Sequence, residues 1–95
     1  MRLSADRTSP FYDAALMRNV EVFVDGQPLQ NVTEAYEEVG MVRVLVYDTN
    51  HRRVVMDQRT RAPRQEQRYG SVEIRLKEAA SEHVQRHFEQ KRQKV

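Results

Sequence analysis

Two histidines, His83 and His87, stand four residues apart. That spacing brings two imidazoles to one face of a helix, within reach of a single metal ion. A helix zinc site of the HExxH type also carries a glutamate between its histidines and recruits a third ligand. Here Val84, Gln85 and Arg86 intervene, so the pair is read as exposed or half-packed helix histidines, and no metal is expected. His51 lies beside Arg52 and Arg53. A general base needs an aligned nucleophile or substrate group, and neither Ser71 nor Ser81 sits in a GxSxG-like setting. His51 is therefore read as a solvated turn residue. Asp48 and Asp57 suit turn caps or arginine pairs better than a hydrolytic carboxylate pair, which needs a cleft that 95 residues have little room to build. There is no cysteine, so disulfides and thiolate chemistry are excluded. Gly26, Gly40 and Gly70 are isolated and form no phosphate-cradling loop. These patterns predict no enzyme, no cofactor and no small-molecule substrate.

The strongest nonrandom chemistry is a run of arginines: Arg52, Arg53, Arg59, Arg61, Arg64 and Arg68, followed by Tyr69. Guanidinium groups make two-pronged contacts with phosphate, and tyrosine stacks on bases. The same residue types dominate protein interfaces. Asp57 and Glu66 interrupt the run, and no helix-turn-helix, zinc-finger or RNP-like pattern surrounds it. Nucleic acid, a protein partner and plain solvent are the three readings. The charge is polarised along the chain: residues 1–40 carry 3 basic and 7 acidic side chains, and residues 41–70 carry 7 and 3. Such polarity suits a polyanion, or a second copy of the chain.

The elements that would position these residues belong to one small domain. Residues 1–18 read as an N-terminal arm. Its Phe11, Tyr12, Leu16 and Met17 are costly to leave in water, so they cover the domain's own sheet or reach a neighbour. Residues 19–76 read as a β domain. Val20–Val24 alternates cleanly, and Asp25-Gly26 is the pair favoured in a two-residue hairpin turn. Residues 27–30 give an edge piece, because Pro28 donates no ladder hydrogen bond. Residues 31–40 predict one or two helical turns, with Asn31 as cap, Glu34 three positions on, and Gly40 as the stop. The rival is an irregular crossover carrying Tyr36 inward. Residues 41–57 predict a hairpin: a strand with Val42, Val44 and Val46 on its buried side, a turn at 48–51, and a return over 54–56. Residues 58–68 hold no large apolar residue and predict either a mobile excursion or extended edge arms held by backbone bonds. Val72–Leu76 closes the β domain. From residue 77 to about 90 the period becomes helical, with Ala80, Val84 and Phe88 on one side, and a basic tail follows to residue 95. The expected fold is α+β and mainly β: a small antiparallel sheet or barrel of four to five short strands with a C-terminal helix.

The succession NVEVFVDGQPLQNVTEAYEEVGMVRVLVYD, an arginine-rich excursion, and YGSVEIRL resembles small proteins encoded in the head and tail gene clusters of tailed bacteriophages and prophages. In these a valine-rich strand meets an Asp-Gly turn, an acidic segment meets a glycine, and a Gly-x-Val strand closes the domain. The resemblance spans roughly residues 19–76 and leaves out the C-terminal helix. It implies no catalytic residue. It implies a structural or assembly role through self-association or docking on a larger assembly, in the cytoplasm of a bacterial host or in a virion. The alternative expectation is a nucleic-acid-binding or regulatory module using residues 52–68 and the basic C-terminus. No apolar run approaches the ~20 residues that span a bilayer, and the first residues lack a continuous apolar signal core. No membrane partner is expected.

Overall fold

The computed structural model describes residues 1–93. Its elements are β1 (Arg2–Ser4), α1 (Ala14–Arg18), β2 (Val20–Val24), β3 (Gln27–Leu29), β4 (Val32–Tyr36), β5 (Met41–Leu45), β6 (Tyr47–Asp48), β7 (Arg53–Val54), β8 (Gln65–Tyr69), β9 (Val72–Leu76) and α2 (Glu82–Gln93). All ladders are antiparallel and form three sheets, ordered β1-β4-β5-β8, β3-β2-β9 and β6-β7. The α+β class follows the sequence pattern. The sheets do not close into a barrel. More strands form than the four or five expected, because residues 2–4, 32–36 and 65–69 also pair.

The period-two runs behave as their valines dictate. Val42 and Val44 of β5 point inward, and Val20 and Val22 of β2 meet Leu76 and Ile74 of β9 across the smaller sheet. Asp25 and Gly26 both have positive φ, 51° and 81°, the geometry of a two-residue type I′ turn. The core gathers Leu3, Leu16, Val20, Val22, Ala35, Val42, Val72, Ile74 and Phe88.

Residues 31–40 correct the helix expectation. Asn31 takes φ 62° and turns the chain from β3 into β4, which lies between β1 and β5. Two neighbouring strands offer β4 a complete set of backbone partners, and its Val32, Thr33 and Tyr36 suit a pleated surface better than a helix. Glu34 caps nothing; it is buried and pairs with the Arg2 guanidinium at 3.2 Å. Tyr36 is half-buried rather than central, with Arg2 lying 4.7 Å from its ring centre and 4.2 Å from that of Phe11.

The larger sheet passes to the smaller one at a corner. The link after β8 turns at Gly70, whose N–H donates to Gly40 O at 3.0 Å. Asp25 secures the far side: its carboxylate accepts from Ser71 N at 2.8 Å, and its own N–H donates to Ser71 O at 2.9 Å. A side chain at Gly40 would place its Cβ 2.3 Å from Gly70 O.

The C-terminal helix begins later than the sequence period suggests. Residues 77–80 form a turn, and Ser81 caps α2 by accepting from Val84 N at 3.3 Å. Phe88 is buried, Val84 is half-buried, and Ala80 is buried just ahead of the helix. Asp13 fastens α1 to α2. Its carboxylate accepts from Leu16 N at 3.1 Å, His87 Nε2 at 2.7 Å and Lys91 Nζ at 3.1 Å. Burial pushes the Asp13 carboxyl up, but the Leu16 amide, His87 and Lys91 together outweigh it and hold it below its ordinary value of 3.8. A depressed carboxyl contributes stability that is complete above the unfolded value and fades as pH falls through the folded one. Asp13→Ala is therefore expected to cost about 1–2 kcal/mol at neutral pH, the loss of one helix cap and its charged partners. The gap from the parent should close below pH 3.8. Urea unfolding of both proteins at pH 7 and pH 3 checks this.

Candidate functional site

An antiparallel sheet leaves a row of unpaired backbone groups at each edge, and proteins usually cover it. The two larger sheets have four edges, and three of them are covered or blunted. Beside β1, Ser4 N donates to Phe11 O and Asp13 N to Ser4 O, both at 3.0 Å. The β3 edge is three residues long and holds Pro28. The outer side of β9 is met by side chains: Ile74 N donates to the Glu37 carboxylate at 2.9 Å, and Arg92 donates to Ile74 O at 2.7 Å. Arg92 also pairs with Glu37 at 3.2 Å, closing the clasp.

The fourth edge, β8, has no such cover among the described residues. Gly70 N bonds Gly40 O and Val46 N bonds Arg64 O. Within the β5–β8 register these bonds make the even-numbered residues of β8 the ones that face β5 with their backbone. The N–H and C=O of Gln65, Gln67 and Tyr69 then point outward. All five side chains of β8 are exposed, Tyr69 to 69%. Residues 58–68 thus take the second of their two expected forms, an extended edge, over 65–68.

Next to this edge the expected hairpin becomes a fork. The strand of residues 41–47 divides at Val46. Val55 N donates to Val46 O, Val46 N to Arg64 O, and Arg64 N to Val55 O, a closed ring of three backbone bonds at 2.8–2.9 Å. One tine is the β6–β7 ribbon. Its return strand is Arg53–Val54 rather than 54–56, and Met56 instead bridges to Pro63 in the other tine. Asp48 closes the first tip by accepting from Asn50 N at 2.9 Å and His51 Nδ1 at 2.6 Å. The His51 side chain is the main cause that holds the Asp48 carboxyl below its ordinary value, aided by the Asn50 and His51 amides and by Arg53. Asp57 closes the second tip by accepting from Arg59 N at 2.8 Å.

The arginines are distributed over this fork and edge. Arg52 and Arg53 stand at the first tip, Arg59 and Arg61 at the second, Arg64 at the root, and Arg68 on β8 beside Tyr69. All are exposed. Arg52 and Arg61 hold positive φ, 52° and 56°. Arg68 pairs loosely with Glu66 at 3.5 Å, and the other five make no ion pair among the described residues. Tyr47 and Met56 add exposed apolar surface to the fork.

The N-terminal candidates divide. Leu16 is corrected from an interface residue to a core residue: it is 0% exposed within its own chain. Met17 is half-buried and lines a groove of about 720 Å³ together with Val20, Val22, Leu29, Val32 and Lys77. Phe11 and Tyr12 remain exposed, and the backbone around them covers β1. His83 is exposed, and His87 turns to Asp13. Among the described residues no three His, Asp or Glu side chains converge as metal ligands, and no helix is long and apolar enough to cross a membrane. The basic tail beyond residue 93, Lys94 and Val95, lies outside the described residues. No protein-family model, curated protein or solved structure matches the chain.

The Glu66-Gln67-Arg68 segment of the edge is only half legible in the sequence, which leaves a mobile excursion and extended edge arms as its two readings. It carries no apolar alternation, so period two is invisible there. The available signal is the approach of a Gly-Ser corner and a confident strand directly after it.

Proposed function

We propose that this chain is a noncatalytic assembly protein that docks on other protein, its own copies included, through the open β8 edge and the adjoining fork. The observation that carries the reading is the contrast among the four edges of the two larger sheets: three are closed by the backbone of residues 11–13, by proline or by a side-chain clasp, and the fourth presents outward backbone groups beside exposed Tyr69, Tyr47 and Met56. Main-chain hydrogen bonds along a sheet edge give affinity, and the side chains alternating on the added strand give selectivity. The resemblance of residues 19–76 to proteins of phage and prophage head–tail gene clusters favours a virion-associated assembly in a bacterial host. A second reading, nucleic-acid contact, draws on the five arginines that have no carboxylate partner among the described residues.

Sedimentation of the full chain over rising concentration, with and without duplex DNA, separates the two. Assembly predicts a species that grows with protein concentration and ignores DNA. A chain that stays monomeric at every concentration, yet shifts on DNA with affinity falling steeply as salt rises, would overturn the assembly reading in favour of nucleic acid.

A further inference from the structure

We infer that the partner strand at the β8 edge is β8 of a second copy, paired antiparallel about a two-fold axis at Gln67. This rests on the docking reading above and fixes its register. The outward-facing backbone belongs to Gln65, Gln67 and Tyr69. With Gln67 opposite Gln67, Gln65 falls opposite Tyr69, so outward groups meet outward groups in all three pairs, and each pair exchanges two hydrogen bonds. Glu66 then stands opposite Arg68 of the second copy, twice. These are the pairs without mutual backbone bonds, where opposing side chains approach most closely.

The competing registers carry penalties. Centring on Glu66 sets two carboxylates face to face, and centring on Arg68 sets two guanidiniums face to face. Centring on Gln65 brings Pro63, which has no N–H, opposite Gln67. Centring on Tyr69 runs the ladder past the corner at Gly70. Within one chain Glu66 and Arg68 manage only a loose 3.5 Å pair, with both side chains about half exposed, so both remain available to a neighbour. The five-residue segment is self-complementary in charge and hydrogen bonding about its own centre, which is what an isologous contact requires.

The test is charge reversal at two exposed positions that leave the β5 ladder untouched. Glu66→Arg alone and Arg68→Glu alone each place like charges opposite one another, and dimerisation should weaken about tenfold or more. The double variant Glu66→Arg/Arg68→Glu should regain the parent's dimer. An equimolar mixture of the two single variants should form a heterodimer, since four like-signed contacts become four opposite-signed ones. Sedimentation equilibrium reads all four samples. In the concentrated parent protein, amide hydrogen exchange should slow at Gln65, Gln67 and Tyr69 relative to the dilute sample. Single variants that associate as the parent does, or a mixture that fails to pair, would overturn this register while the docking reading stands. A parent that is monomeric throughout fails at the earlier measurement.

Discussion

Gly40→Ala should lower the melting temperature by about 10–25 °C, the shift that roughly 3 kcal/mol produces in a domain of this size. Two costs combine. A residue with a side chain at φ 69° pays about 1–2 kcal/mol for the left-handed conformation. The added Cβ would also stand 2.3 Å from Gly70 O, a backbone atom that is fixed by the bond Gly70 returns to Gly40. The two sheets must part at their corner to admit it. Gly26→Ala provides the control. It has a comparable φ, 81°, but nothing within 4 Å of the new Cβ, so only the first cost applies. Thermal unfolding of both variants separates backbone strain from close approach. Equal losses would mean that the corner has slack to yield.

Leu16→Ala should destabilise the fold by about 2–5 kcal/mol, the range for emptying a fully buried leucine site. Tyr12→Ala, at a neighbouring exposed position, should stay within about 0.5 kcal/mol. Both belong to a segment whose sequence suggests a detachable arm. Deleting residues 1–18 removes β1, Leu3 and Leu16 together, and with them part of the core that Val20, Ala35 and Phe88 pack against. The truncated chain should lose its cooperative transition in chemical denaturation, so loss of assembly in that variant would report unfolding rather than a missing contact. Point substitutions on β8 probe docking without that confusion.

How far the residues announce their structure depends on where the stabilising partners lie. Val20–Val24, the Asp25-Gly26 turn and Val72–Leu76 are legible because alternation and turn chemistry are local. Val42 and Val44 are legible for the same reason. Residues 31–40 mislead because a cap-like Asn31 and Glu34 speak for a helix locally, while the pairing that decides the outcome comes from β1, some 30 positions earlier, and from β5. The start of α2 at Glu82 was available in Ser81, whose hydroxyl marks a helix beginning that apolar spacing alone places too early. The β8 edge was half legible: an extended form was one of two readings, and its openness shows only once the covers on the other edges are seen. Leu16 could not be assigned to core or interface from its type alone, since burial against oneself and burial against a neighbour ask for the same side chain.

The pairing of β2 with β9 bears on how the chain comes to fold. Val22 must wait for Ile74, and one core cluster takes in both Leu3 and Phe88, so buried residues far apart in the chain must come together. Ordering such long loops precedes the energetic return from closing them, which slows folding relative to a helical bundle of equal length. While the polypeptide is being synthesised, the neighbouring strands β4 and β5 can zip together early, but the valines of β2 stay wet until residues 72–76 have emerged. The nascent domain thus spends much of its synthesis as an unsealed sheet, a state in which premature association is the hazard. Folding is then gated by the arrival of β9 and α2, and a pause in translation before residues 72–76 have emerged would prolong the exposure of the half-built core.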